Sequence, residues 1–262
     1  MTRGLSDTQA MAPVRFLTLA PAARVCAMEL ADEDVHVWGV ALETNAEVLQ
    51  AVRRTLSADE RERVDRLVVS EQRAQRAIAY GALRRVLSWY EGCDAQTLQF
   101  ERTPQGKPVL KTGGGRREPV QFNLTHSYGR ALIAVSRGRA VGIDLESVKP
   151  DREVAGLAQR FLTSGEQRLI EHADADAKSE MFTRVWVARE AAAKALGTGL
   201  QVPLNRHAVE SMPDAQVGRM AGPDGDWLIR FLAVDAGWAA AVAARGIDWR
   251  VRVCGDDEES IG

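Results

Sequence analysis

Two short segments hold the side chains best able to do chemistry. In Val141-Gly142-Ile143-Asp144-Leu145-Glu146, two carboxylates stand at i and i+2 within an apolar, β-branched run. On a strand they point to the same side. In Trp186-Val187-Ala188-Arg189-Glu190-Ala191-Ala192-Ala193-Lys194, Glu190 and Lys194 stand at i and i+4 in an alanine-rich run. On a helix they share one face. Three carboxylates converging beside a lysine make a site for a hard cation with a built-in partner for phosphate. That combination points to Mg²⁺-assisted chemistry on a phosphate ester.

Three further groups could serve the same ligand. Phe122-Asn123-Leu124-Thr125-His126-Ser127 reads as a short apolar strand whose end releases two hydroxyls and an imidazole together. Gly106-Lys107-Pro108 joins a fixed turn, an accessible backbone and a charge, but lacks the spacing of a P-loop. Arg76 lies on a helix dense in arginine. Taken singly, each has a plain structural alternative. Asp144 and Glu146 could be charges on an edge strand, and Glu190 with Lys194 a solvated helix pair. Thr125 and Ser127 could cap a turn, and Arg76 could belong to a solvated basic face.

The elements that must position these groups are legible in outline. A strand is expected at 34–42. Ser57 with Glu60 forms a capping-box pattern opening helices near 58–69 and 71–91. Strands follow at 98–101, 121–124, 131–136 and 140–146. Thr163-Ser164-Gly165-Glu166 opens another helix, and a long one over 182–196 stops at Gly197. Residues 227–253 alternate as strands do. The two halves rhyme: Gly142-Ile143-Asp144 echoes Gly246-Ile247-Asp248, and Thr55-Leu56-Ser57 echoes Phe161-Leu162-Thr163. We therefore expect an α+β fold of two similar α/β halves in a pseudo-twofold arrangement, with the site in the cleft between them. The expected boundaries are a loose tail (1–14), an N-terminal half (15–146), a linker (147–152), a C-terminal half (153–254) and an acidic tail (255–262). Asp248 is followed by Trp249 and Arg250 rather than a second carboxylate, so it reads as a structural relic.

Bulk properties narrow the function. A net charge of −2 gives no global basic field for nucleic acid. The three cysteines, Cys26, Cys93 and Cys254, are scattered, which suits a reducing cytoplasm rather than a disulfide framework. No apolar run is long enough to span a bilayer.

The order of the motifs is more specific than any one of them. Arg76, then Gly-Lys-Pro, then Phe-Asn-Leu-Thr-His-Ser, then Gly-Ile-Asp-Leu-Glu, then Trp-x-x-Arg-Glu-x-x-x-Lys closely resembles the 4′-phosphopantetheinyl transferase superfamily. The resemblance is to the long, monomeric surfactin-synthetase-activator type. It covers about residues 55–200. It implies that coenzyme A donates its phosphopantetheine arm to a serine of an apo acyl, peptidyl or aryl carrier protein, and that 3′,5′-ADP leaves. It further implies that Asp144, Glu146 and Glu190 hold Mg²⁺ and that Lys194 pairs with the same phosphates. Arg76, Lys107, Thr125 and His126 would bind the 3′-phosphate and nucleotide end. Glu190 is also the implied general base, a role that competes with tight metal binding. The chain departs from the family pattern at Arg189, where lysine is usual, and at Thr125, where serine is common. Arg189 is expected to face an ion pair or the carrier. Charge complementarity to an acidic carrier suggests a basic strip including Lys111, Arg116 and Arg117. Two other readings have distinct signatures: a non-catalytic module binding coenzyme A or a carrier, and another metal-dependent phosphotransfer enzyme.

Overall fold

Alternation of apolar and polar residues, helix caps and glycine stops divide the chain cleanly. The computed structural model describes residues 11–20, 27–111, 118–150, 153–197, 210–211, 217–222 and 225–255. A short strand β1 (Phe16–Leu17) and the apolar β2 (Asp34–Ala41) lead into three helices. Asn45 caps α1 (Ala46–Thr55), and a complete Ser57–Glu60 capping box opens α2 (Ala58–Asp65). The long α3 (Ser70–Glu91) ends at Gly92 in the left-handed conformation that glycine adopts freely. A hairpin of β3 (Phe100–Arg102) and β4 (Pro108–Leu110) precedes β5 (Val120–Ser127), β6 (Arg130–Arg137) and β7 (Val141–Ser147). Next come α4 (Val154–Phe161), α5 (Ser164–Glu171), whose Thr163–Glu166 capping box is complete, and α6 (Lys178–Leu196). Strands β8 (Glu210–Ser211), β9 (Val217–Gly222), β10 (Gly225–Phe231), β11 (Trp238–Arg245) and β12 (Arg250–Cys254) follow.

Apart from the β3–β4 hairpin, the described strands form two five-stranded sheets. The first runs β1-β2-β6-β5, and β12 lies parallel to β2 along residues 34–38 of the edge that β1 covers further on. The second runs β7-β11-β10-β9-β8. β7 thus leaves β6 to pair with β11, and β12 leaves β11 to pair with β2. The sheets do not divide where the sequence suggests, at residue 146, because β7 joins the second sheet. α3 covers the first sheet through Ile78, Ala82, Val86 and Leu87. α6 covers the second through Val187, Ala188, Ala191 and Ala195 packed on Ala239, Ala241 and Ala243. Small residues on both sides let the helix backbone approach closely. At Gly142 even one methyl would meet Ala191 O at 2.1 Å and Ala195 N at 2.3 Å.

Several expectations need adjustment. Val14, expected in a loose tail, is buried at 3% exposure in a cluster drawn from both sheets, and its N–H donates to Ala233 O. Its apolar side chain gains more from that cover than the tail gains from freedom. Residues 1–10, 151–152 and 256–262, and with them most of the tail calls and part of the linker, lie outside the described residues. The sequence reading holds no counterpart of α1, α4, β1, β4, β8 or β9. β5 continues through Ser127, which changes how its polar residues are used.

Candidate active site

The β5 edge of the first sheet lies against the β7 edge of the second, and side chains rather than a backbone ladder join them. Asn123 Oδ1 accepts from Ile143 N at 2.9 Å, Thr125 Oγ1 donates to Asp144 Oδ1 at 3.0 Å, and Ser127 Oγ donates to Glu146 Oε2 at 3.2 Å. These three residues alternate along β5, so all face β7. His126 is on the other face. The two hydroxyls and the imidazole therefore do not emerge together at a strand end. They serve opposite sides of one strand.

α6 closes the seam from above. Lys194 Nζ lies 2.5 Å from Asp144 Oδ1, 3.1 Å from Thr125 Oγ1 and 3.3 Å from Ile143 O. The close packing at Gly142 brings the last turn of the helix this near. Asp144 is buried, and its Oδ2 has no hydrogen-bond partner. Glu190 Oε1 is likewise buried without one. Desolvation first, and then the charges of Asp144 and Glu146, push the Glu190 carboxyl up from its ordinary range, against the pull of Lys194 and Arg189. Two acceptor oxygens thus stand buried without a donor, which is costly unless a cation or proton fills the gap. Among the described residues, no three His, Cys, Asp or Glu side chains stand close enough to hold a metal together. Glu190 feels the charges of Asp144 and Glu146, but the three do not form a closed cage.

On the other face of β5 opens a pocket of about 660 Å³, lined by Arg63, Arg76, Tyr80, Arg102, Pro108 and His126 among others. Arg76 lies over the Tyr80 ring and has a buried Nε without a partner. Desolvation at the pocket wall, then the Arg76 and Lys194 charges, hold the His126 imidazole below its usual range, although the residue as a whole is exposed. The pocket can take an anion with an attached ring system, and the seam can take a polyphosphate once a cation balances its carboxylates.

Arg76 and His126 therefore face the pocket, while Thr125, Asp144, Glu146, Glu190 and Lys194 gather at the seam. Lys107 does neither. Its ammonium points to the backbone carbonyls of Val141, Lys194 and Ala195. Carbonyls left open at a helix end outcompete solvent for a nearby cation. Arg189 pairs with Glu166, both buried. Asp248, exposed, pairs with Arg139 at 3.0 Å. Lys111 pairs with Glu101 at 3.5 Å, and Arg116 and Arg117 lie outside the described residues. Sequence reasoning missed Arg63, Tyr80 and Arg102 of the pocket and gave Asn123 no role, and it took Ser127 for a ligand-facing hydroxyl where the structure makes it a partner of Glu146. Period-two alternation through Ser127 is the signal that finds the seam roles of Asn123 and Ser127.

The carboxylate–lysine seam and the arginine-lined pocket are chemically suited to a phosphorylated ligand. The profile of the 4′-phosphopantetheinyl transferase superfamily matches residues 140–243, and that of the 4′-phosphopantetheinyl transferase N-terminal region matches residues 43–137. The chain is 32% identical to the 4′-phosphopantetheinyl transferase HetI of Nostoc sp. over 85% of its own length and 92% of that protein's. It is 27% identical to the 4′-phosphopantetheinyl transferase Sfp of Bacillus subtilis, over 74% of this chain and 84% of that one. With the human L-aminoadipate-semialdehyde dehydrogenase-phosphopantetheinyl transferase it shares 28% identity over 67% of its own length and 59% of that protein's. The chain belongs to the 4′-phosphopantetheinyl transferase superfamily.

Proposed function

We propose that this chain transfers the 4′-phosphopantetheine arm of coenzyme A to a serine hydroxyl of an apo acyl, peptidyl or aryl carrier protein. The serine oxygen forms a bond to the phosphorus that bears the pantetheine arm. The bond from that phosphorus to the bridging oxygen breaks, 3′,5′-ADP departs with the electron pair, and the serine proton passes to a base. The observation that carries this reading is the seam: Lys194 on Asp144 and Thr125, beside two buried carboxylate oxygens without partners.

The donor set fits Mg²⁺. The open acceptors are hard carboxylate oxygens, and Mg²⁺ is commonly held by one or two carboxylates plus substrate phosphates and water, so a closed cage is not required. Asp144, Glu190 and Glu146 would hold it, and when bound it supplies neutralisation of the charge that develops on the leaving diphosphate. Lys194 adds a fixed positive charge at the same place, and Thr125 and Asp144 hold its ammonium in position. Ser127 orients Glu146. Arg76 and His126, with Arg63 and Arg102, receive the 3′-phosphate and adenosine end in the pocket. Glu190 accepts the serine proton, directly or through water. That role competes with metal binding, since a carboxylate held by a cation is a weaker base.

Both strand edges of the seam and its covering helix come from one chain, which supports a monomer as the active form. Free thiols at Cys93 and Cys254 are compatible with the cytoplasm. No helix among the described residues is long and apolar enough to cross a membrane.

Intact-mass spectrometry of apo carrier proteins incubated with the chain, coenzyme A and Mg²⁺ tests the reading, with EDTA as control. A metal-dependent gain of one phosphopantetheine arm is expected. No gain on acyl, peptidyl and aryl carriers by a folded sample would favour a non-catalytic binding module.

A further inference from the structure

The turn that walls the pocket also grips the catalytic helix. Thr103 N donates to Lys107 O at 2.9 Å, Gly106 N to Thr103 O at 2.8 Å, and Lys107 N to Thr103 Oγ1 at 3.1 Å. Gly106 takes φ +89, and Arg102 donates to its carbonyl. Residues 102–108 are thus a braced loop, and its Arg102 and Pro108 line the pocket. From this loop Lys107 reaches across to the second sheet. Its ammonium lies 2.9 Å from Val141 O, at the start of β7, and 2.8 Å from Lys194 O and 3.5 Å from Ala195 O, in the last turn of α6. The stem passes Gly197, the left-handed stop of that helix, where an added methyl would sit 3.7 Å from Lys107 Cδ.

We propose that Lys107 is a positioning residue: its ammonium clamps the last turn of α6 to the start of β7, so that Lys194 and Asp144 meet at the working distance. Three acceptors match the three protons of an ammonium, and a cation at a helix C-terminus opposes the helix dipole. One of the gripped carbonyls belongs to Lys194 itself, whose Nζ lies 2.5 Å from Asp144 Oδ1. Gly142, one residue after Val141, is where β7 and α6 already touch. The clamp therefore acts at the point from which the Lys194–Asp144 distance is set. Burial lowers the Lys107 pKa to about 8, so the ammonium form still prevails near neutrality. The inference rests on the transferase reading for its catalytic consequence, and it replaces a direct contact of Lys107 with the nucleotide.

The test uses Lys107→Met, Lys107→Gln and Lys107→Arg in the full chain, with steady-state transfer and ligand-free hydrogen exchange on the same preparations. Misplacing a reacting group by about 1 Å costs on the order of 10²-fold, so Lys107→Met should lower kcat by about 10- to 100-fold. Its KM for coenzyme A should stay within about twofold, because the ammonium lies outside the pocket. Lys107→Arg keeps the charge at the helix end and should recover part of kcat. Amide exchange in the last turn of α6 should rise in Lys107→Met while the last turn of α3 is unchanged. If Lys107→Met does not fold, Lys107→Gln carries the same readouts. A raised KM with unchanged kcat would overturn the clamp in favour of a nucleotide contact. Unchanged exchange in an active enzyme, or faster exchange with unchanged kcat, would also overturn it. A wild type inactive on all carriers would overturn the transferase reading instead, and the exchange result would still decide whether the clamp exists.

Discussion

The α2–α3 and α5–α6 pairs are built to one plan and used for different ends. In the first, Ser57 and Glu60 form a capping box, and Arg84 Nε of α3 lies 2.7 Å from Glu60 Oε2. In the second, Thr163 and Glu166 form the box, and Arg189 of α6 donates to Glu166 Oε2. Each arginine is buried and locks the short helix to the long one. The residues after it differ. Arg84 is followed by Arg85 and, five positions on, by Trp89, whereas Arg189 is followed by Glu190 and Lys194. The scaffold is repeated and the chemistry is not, which supports the reading of two related halves with one working site. The arginines differ as well. Arg84 also donates to Ala95 O and Leu98 O and so fixes the loop beyond α3, while Arg189 keeps a buried Nε and Nη2 without partners.

The sharpest contrast is between the charged residues that follow the locking arginine in α6 and in α3. Lys194→Met should lower transfer by about 10²–10³-fold by removing a charge aimed at the leaving group. Arg85→Met, at the position in α3 that matches Glu190, should leave the rate unchanged. Its guanidinium donates to Ala20 O, far from the seam. A rate loss in Arg85→Met comparable to that in Lys194→Met would break the division of labour.

Arg84→Met and Arg189→Met probe the shared plan. Each strands a buried glutamate, and loss of one partner of such a pair costs about 3–5 kcal/mol, readable by denaturant unfolding. Arg84→Met should cost more of the two, because it also releases Ala95 O and Leu98 O.

Two glycines sharpen the comparison further. A methyl at Gly142 meets helix backbone at 2.1 Å, whereas one at Gly81 of α3 meets the Val52 side chain at 2.2 Å. Backbone cannot step aside, so Gly142→Ala should destabilise by about 1–3 kcal/mol and also lower transfer by separating β7 from α6. Gly81→Ala should cost less, since alanine regains about 1 kcal/mol of helix propensity and a side chain can shift.

Acid should act on one sheet first. His36 of β2 is buried against Tyr90, and desolvation, then the Arg252 charge, push its pKa down to about 4, against the pull of Asp34. The unfolded chain takes up a proton there near pH 6.5 and the folded chain resists until about 4. Stability is thus full above pH 6.5 and falls on acidification towards pH 4, by at most about 3 kcal/mol from this group. His36→Phe should flatten that limb of the pH–stability curve. The described strands of the second sheet hold no histidine.

Much of the site was legible because motif spacing and element period agree. Asp144 and Glu146 at i and i+2, and Glu190 and Lys194 at i and i+4, fall where a strand and a helix place them on one face. The role of Lys107 was not legible, because its acceptors are backbone carbonyls far along the chain, which no sequence motif marks. The split between Thr125 and His126 escapes a reading that ends β5 at Leu124, because strand continued through Ser127 sends successive side chains to opposite faces. α1 and α4 escaped notice because their caps, Asn45 and Glu153, lack the capping-box pattern that flagged α2 and α5. The exchange of β7 and β12 between sheets depends on long-range pairing, to which local periodicity is blind.

The most direct test of the central claim, that chemistry resides at the β7–α6 seam, is single-turnover transfer by Glu190→Gln with coenzyme A binding measured on the same sample. The account predicts a loss of about 10²–10⁴-fold in the transfer step with coenzyme A still bound in the arginine-lined pocket. A wild-type transfer rate in Glu190→Gln would contradict it.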